Sequence, residues 1–298
     1  MDSVNLDHQA VKLATKYMGD FSWPGVLLGG VCLGGYLAAP FAVVTGVLPL
    51  WLGVLLIGMI TYAAYTVMHD AVHGAIVGKH RSMLWLQKLL GHGMGFVLGF
   101  PFVAHRFEHL AHHRFTNDAE RDPDFQIAEM GQSPFKAVRS ACRLLSGQYS
   151  FYIEQQWRRA STSEKFAVVV EALVAWGARA AFVAQGYWIE GFALFVVGAL
   201  LGLIALIYLF AYIVHRPHDQ VGRYVDTSTI VLDGPGNTVM TWCWLFQNYH
   251  SIHHLFPKVP FYKYRALYEE IEPIMRAKGA PIYSLSLTGL KPQVSMES

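Results

Sequence analysis

Phe21 to Met68 reads FSWPGVLLGGVCLGGYLAAPFAVVTGVLPLWLGVLLIGMITYAAYTVM, without one Asp, Glu, Lys or Arg, and it runs directly into His69-Asp-Ala-Val-His73. A helix crosses a bilayer with about 20 apolar residues, so this run holds two spans. We place them at about 23–43 and 48–68, with the reversal in the segment Pro40–Pro49 around Gly46. Phe166 to Val214 repeats the pattern with only Glu171, Arg179 and Glu190 as charges, giving spans at about 166–185 and 190–214 around Gly186–Gly191. Glu171 and Arg179 are costly against lipid, so they are expected to face the bundle interior or the interface.

The composition agrees. Only 15% of the 298 residues are charged, against about 25% in soluble domains, and the mean hydropathy is +0.30. A net charge of +2 gives no reason to expect an acidic polymer, and no nucleic-acid motif is present. Cys32, Cys142 and Cys243 stand far apart and form neither a disulfide framework nor a zinc motif. The first 20 residues lack the apolar core of a cleavable signal.

Between the apolar blocks, Met83 to Phe102 is broken by Gly91, Gly93, Gly95, Gly99 and Pro101, which predicts an interfacial or re-entrant segment. Residues 134–165 read as a basic, partly amphipathic helix with Arg139, Arg143, Arg158 and Arg159. The expected fold is all-α and integral to the membrane. It is one domain over 1–298, with four transmembrane helices and a helical cap from 69–165 and 215–298. Four spans put 1–20, 69–165 and 215–298 on one side, together with 22 of the 23 Lys and Arg residues. That bias places the cap, and with it the active site, on the cytoplasmic side of an inner or plasma membrane.

The histidines converge on that same side. His69 and His73 are followed by His109-Leu-Ala-His112-His113 and, 141 residues after His109, by His250-Ser-Ile-His253-His254. Residues three and four apart share one helix face, so each run aims its imidazoles together. Eight such side chains exceed what one ion takes, which predicts a two-metal centre. A zinc protease helix reads His-Glu-x-x-His, and no cysteine lies near for structural zinc. Bis-histidine haem calls for single histidines in mid-membrane rather than doublets at the rim. Two irons activating dioxygen suit a histidine-rich, cysteine-poor site beside lipid.

The three runs resemble the histidine boxes of the membrane fatty acid desaturase/hydroxylase superfamily, over about residues 50–270. Within it the chain is most similar to the carotenoid (β-carotene) hydroxylase branch. The likeness is carried by His113-Arg-Phe-Thr-Asn-Asp118 with Asp122-Pro-Asp124, by His215-Arg-Pro-His218, and by Gln247-Asn-Tyr-His250 running on to Tyr264. The resemblance implies a non-haem di-iron site with dioxygen as co-substrate. Its ligands would be the eight box histidines and His215, with His218 as the substitute for the ninth. His105 is expected to support the site rather than bind metal. Asp70, Glu108, Asp118, Asp122 and Asp124 are candidates to hold ligand imidazoles from behind. Asp70 leads them because it lies between two ligands.

The implied reaction oxidises an unactivated C–H bond of a membrane lipid, as carotenoid ring hydroxylation or, alternatively, as acyl-chain desaturation or hydroxylation. A non-enzymatic metal or haem protein is the competing class. No nucleotide fingerprint and no cytochrome b5 sequence is present, so electrons are expected from an external donor such as ferredoxin with its reductase. Arg139, Arg143, Arg158, Arg159 and Lys165 are its candidate docking residues, unless they anchor anionic lipid instead. Trp51, Tyr62, Tyr65, Tyr208 and Tyr212 are candidates to line a lateral substrate channel, or else they pack the bundle.

Overall fold

The computed structural model describes residues 3–232, 234, 236–286 and 289–293, so residues 1–2 and 294–298 of the expected domain lie outside it. Among the described residues, four helices are long and apolar enough to cross a bilayer: α2 (Trp23–Val44), α3 (Leu50–His73), α7 (Thr162–Ala184) and α8 (Trp188–His215). They are preceded by α1 (Ser3–Ala14), and α4 (Leu84–Leu98), α5 (Phe102–Phe115) and α6 (Pro134–Gln155) lie between α3 and α7. After α8 come β1 (Thr229–Leu232), α9 (Gly236–Cys243), α10 (His250–Leu255), α11 (Tyr264–Ala277), β2 (Ile282–Ser286) and β3 (Gly289–Pro292). The fold is an all-α integral membrane bundle. Its cap also carries a small sheet, in which β2 pairs parallel with β1 and antiparallel with β3.

Local chemistry sets the boundaries. Ser22 accepts a hydrogen bond from the Gly25 amide and starts α2. Pro40, which the sequence reading put at the reversal, stays inside α2, and the chain turns over 45–49, where Gly46 takes φ +74°. At 1.5 Å per residue, α3 is about 36 Å long against roughly 30 Å of bilayer hydrocarbon. Its last turn, carrying His69, Asp70 and His73, is therefore a continuation of the span and ends at the left-handed Gly74. The helix expected over 134–165 stops at Gln155. Ser161 and Glu164 then form a capping box that opens α7, so Lys165 belongs to the third span. Within α8 the register widens to π-helix at Ala193–Gly198 and Ile207–Tyr212.

Glu171 and Arg179, in the middle of α7, face inward and fix α4, a 15-residue helix that does not reach span length. Glu171 accepts from the Phe102 amide at 2.7 Å and pairs with His92 at 2.8 Å. Arg179 donates to the Phe96 and Val97 carbonyls at 3.0 and 2.9 Å, which satisfies the open end of α4.

The α3–α8 contact, which places His69, His73 and His215, depends on small residues. A Cβ on Gly202 would run into the Gly58 carbonyl and Thr61, and one on Gly198 would lie 2.9 Å from the Val54 carbonyl. Neither obstacle is a flexible side-chain tip. Gly202→Leu is therefore expected to separate the helices and destabilise the protein by about 1–3 kcal/mol or more. The check is a fall in the thermal unfolding midpoint in detergent, with Gly30→Leu, whose Cβ meets open space, as the tolerated control.

Candidate metal centre

The end of α3 brings His69 and His73, α5 brings His105, His109, His112 and His113, the end of α8 brings His215, and α10 brings His250, His253 and His254. The position of α10 is pinned from behind. Asn248, just before it, donates to the Ile230 carbonyl in β1 at 2.9 Å and to Thr241 in α9 at 3.2 Å. Thr229 of β1 meets Ser251 at 2.5 Å.

Two groups of imidazoles result. Potential donor atoms of His69, His73, His109, His113 and His253 all lie within 4.8 Å of one another, and the same holds for His112, His215 and His254. His250 stands between them, its ring 4.8 Å from that of His254, 5.0 Å from His215 and 5.2 Å from His253. The third box thus contributes to both groups.

Whether these residues suit metal ions can be tested on their own spacing. The Nε2 atoms of His109 and His73 are 3.0 Å apart, those of His113 and His109 3.0 Å, those of His253 and His113 2.8 Å, and those of His112 and His215 3.0 Å. A ring nitrogen carries at most one hydrogen, yet His109 and His113 each face two others through one atom. Lone pairs are thus forced together in a buried site, a costly arrangement unless a cation sits among them. With metal–imidazole bonds of about 2.0–2.1 Å, two ligands at right angles lie about 3 Å apart, which is the spacing found. Both ring nitrogens of His69 and the Nε2 of His254 are also buried without a hydrogen-bond partner. The donor set fits.

The opposite ring nitrogens are held from behind, as metal-bound histidines normally are. His112 Nδ1 lies 2.9 Å from Asp122, His253 Nδ1 3.1 Å from the Tyr264 hydroxyl, and His250 Nδ1 3.4 Å from Gln247. His215 Nδ1 donates to the Ala211 carbonyl at 2.6 Å, and His254 Nδ1 meets Thr116 at 3.4 Å.

Charge follows from burial. His109, His113, His250, His253 and His254 are held well below the usual histidine range, first by burial and then by neighbouring imidazoles, so they stay neutral. Neutral imidazole is the form that binds metal. His112 is the exception. Burial pushes it down, but the charge and hydrogen bond of Asp122, aided by Asp124, bring it up to about 9. Asp122 is correspondingly lowered, the His112 charge and hydrogen bond outweighing its own burial.

The remaining sequence candidates separate. Asp124 lies 3.8 Å from His112 and contacts the buried Glu108, which also accepts from Gln148 at 3.1 Å and lies 3.6 Å from His105. His105 hydrogen-bonds Gln148 at 2.7 Å, and its ring lies 5.4 Å from His109, outside both groups. Asp70 is not shown against an imidazole. It is buried and accepts from the Phe261 amide at 3.2 Å, which ties α3 to the chain after α10. Asp118 instead pairs with Arg121 in the turn after α5. His218 stacks on Tyr212 at 5.1 Å, away from the groups, whereas His215 is inside one.

Among the proposed channel aromatics, Trp51 is 64% and Tyr208 50% exposed, and Tyr62 donates to the Trp244 carbonyl. Tyr212 stacks with His218, and among these five Tyr65 is the one whose ring meets a box histidine, 6.0 Å from His69. Gln148, Gln247, Thr116 and Tyr264 were missed. Each is a single polar residue that leaves no spacing signal, although Thr116, Gln247 and Tyr264 all lie in the runs quoted beside the boxes.

Four membrane-length helices, with nine imidazoles gathered from the ends of α3 and α8 and from α5 and α10, five of them held through their second nitrogens, define an integral membrane protein with a histidine-rich candidate metal centre. The family model described as fatty acid desaturase matches residues 45–286, and the chain belongs to that family. Membership makes it an oxidoreductase. No curated protein was found to match the chain.

Proposed function

We propose that the protein is a non-haem di-iron enzyme that uses dioxygen to oxidise an unactivated C–H bond in the acyl chain of a membrane lipid, as a desaturase or hydroxylase. The observation that carries this reading is the convergence of nine imidazoles, in two groups bridged by His250, on a scale that suits two ions. His69, His73, His109, His113 and His253 would hold one ion and His112, His215 and His254 the other, with His250 completing the set. When bound, two irons supply the electrons and Lewis acidity that activate dioxygen. The chain's own part is to keep the imidazoles other than His112 neutral, to fix ring orientation from Asp122, Gln247, Tyr264 and the Ala211 carbonyl, and to keep water from the site with Phe210 and Tyr65.

Family membership supports an acyl chain over the carotenoid ring. The excess of Lys and Arg on the cap supports a cytoplasmic site. An external electron carrier such as ferredoxin is part of the proposal, and two features support it. Arg139, Arg143, Arg158 and Arg159 are exposed. On the face of α5 turned away from the histidines lies an open cavity of about 1320 Å³, lined by Lys88, Arg106, Arg114 and Arg159 and reaching His73.

Expression in cells that accumulate β-carotene separates the substrates. New acyl-chain double bonds or hydroxyls with unchanged carotenoid are expected; hydroxylated carotenoid with unchanged acyl chains would select the ring instead. Purified protein is expected to hold two irons per chain without a haem Soret band. Stoichiometric haem or a single zinc would end the oxygenase reading.

A further inference from the structure

The open cavity on the outer face of α5, about 1320 Å³ in volume, has a chemistry that the metal centre does not use. Val103, Arg106, Leu110 and Arg114 line it at spacings of three and four, which is one face of the helix. His105, His109 and His112, the buried histidines of α5, lie on the other. Further walls come from the cap-side ends of two spans, through Val72 and His73 of α3 and Ser163 and Ala167 of α7. Lys88 of α4 and Arg159 of the link between α6 and α7 complete them. The cavity therefore lies at the depth of the lipid headgroups.

Its charge is one-sided. Five Lys and Arg side chains line it against two carboxylates. Of these, Arg121 is tied to Asp118, and Glu164 is held by the Ser161 amide in the capping box that opens α7. Among the described residues, no carboxylate forms an ion pair with Lys88, Arg106, Arg114 or Arg159. Interleaved with these four cations is hydrocarbon from Val72, Phe102, Val103, Phe107 and Leu110. Unpaired cations beside apolar walls at headgroup depth fit an anionic amphiphile, whose phosphate meets the guanidinium groups while its chains meet the rings. A zwitterionic headgroup would bring an ammonium against like charges. An acidic protein offers carboxylates but no chain for the apolar walls.

We propose that this cavity binds one anionic phospholipid of the phosphatidylglycerol class as a resident lipid. Its phosphate would lie among Lys88, Arg106, Arg114 and Arg159, and its chains against Phe102, Phe107 and Leu110. The site does not rest on the oxygenase reading. Of the nine imidazoles in the metal centre, His73 alone borders it, and a lipid held there braces α5 from behind His109 and His112. Arg139 and Arg143 do not line the cavity and are left to the electron carrier.

The test is native mass spectrometry of the full-length protein, delipidated in detergent and titrated with phosphatidylglycerol, phosphatidylethanolamine or inorganic phosphate. One phosphatidylglycerol per chain is expected to bind about tenfold more tightly than phosphatidylethanolamine. Arg106→Gln with Arg159→Gln, and independently Lys88→Gln with Arg114→Gln in case the first pair folds poorly, are expected to weaken it about 25-fold, roughly fivefold per cation. Arg139→Gln with Arg143→Gln on α6 should change it less than about twofold, because those charges are screened by solvent. Phosphatidylglycerol should also raise the thermal midpoint of the wild type and not that of the cavity pairs. Equal affinity for the two lipids would overturn the proposal, as would a loss in the α6 pair as large as in the cavity pairs. Inorganic phosphate that competes as well as the lipid would overturn the lipid as occupant. Ferredoxin binding that falls in the cavity pairs while lipid binding is unchanged would assign the cavity to the carrier instead.

Discussion

His112→Ala is expected to remove lipid oxidation below detection and to strip most of the metal, while the protein stays in the membrane at wild-type amount. The His112 ring does two things at once. Its Nε2 stands 3.0 Å from that of His215, and its Nδ1 is held by Asp122 at 2.9 Å. Alanine therefore takes a donor from a group of three and leaves a buried carboxylate without its charged partner. Asp122 keeps the amides of Asn117 and Asp124 at 2.8 and 2.9 Å, so the turn after α5 retains its anchor. Membrane insertion depends on the four apolar helices, and His112 lies in none of them. His253→Ala carries the same expectation for the other group, where its Nε2 is 2.8 Å from that of His113. His80→Ala, at an exposed position before α4, should retain wild-type activity and metal. Iron analysis and product formation on membrane fractions decide the matter, and activity surviving in either box variant would show that the ligand assignment is wrong.

The bundle and the histidines are legible in the sequence for one reason, which is that both are repeats in chain coordinates. A 48-residue stretch without charge leaves a bilayer as its natural solvent. Histidines at helical spacing share a face whatever the fold. The parts that stayed hidden depend on packing between distant segments. Gln148 meets His105 and Glu108 across some 40 residues, and Asp70 finds the Phe261 amide 191 residues away. Asp118 and Asp122 look alike as turn carboxylates. Only the path of the chain after Phe115 decides that one meets Arg121 and the other His112. The strand Thr229–Leu232 is too short to announce itself, and it forms because β2, some 50 residues later, aligns beside it. The wide turns of α8 are a hydrogen-bond register, which hydropathy does not encode.

Asp122→Asn makes the second large change, and its pH signature separates support of a ligand from mere folding. In the metal-free protein His112 keeps its proton up to about pH 9 because the Asp122 charge overrides burial. An ion must displace that proton, so metal affinity is expected to rise about tenfold per pH unit between pH 7 and 9 in the wild type. The stability contribution runs the opposite way. A raised histidine pKa contributes stability that is fully present below the ordinary value of about 6.5 and is lost as pH climbs through about 9. Asparagine keeps the shape and removes the charge. Burial then meets only the pull of Asp124 and Asp226, the imidazole holds its proton less firmly, and the slope of affinity against pH over this window should flatten. Affinity near pH 8 should fall about 10–100-fold, because the Nδ1 hydrogen loses its anionic acceptor and the ring its fixed orientation. Co(II) titrations of metal-free protein from pH 6.5 to 9 would read both effects. An unchanged slope in the variant would mean that Asp122 orders the turn after α5 without governing the charge of His112.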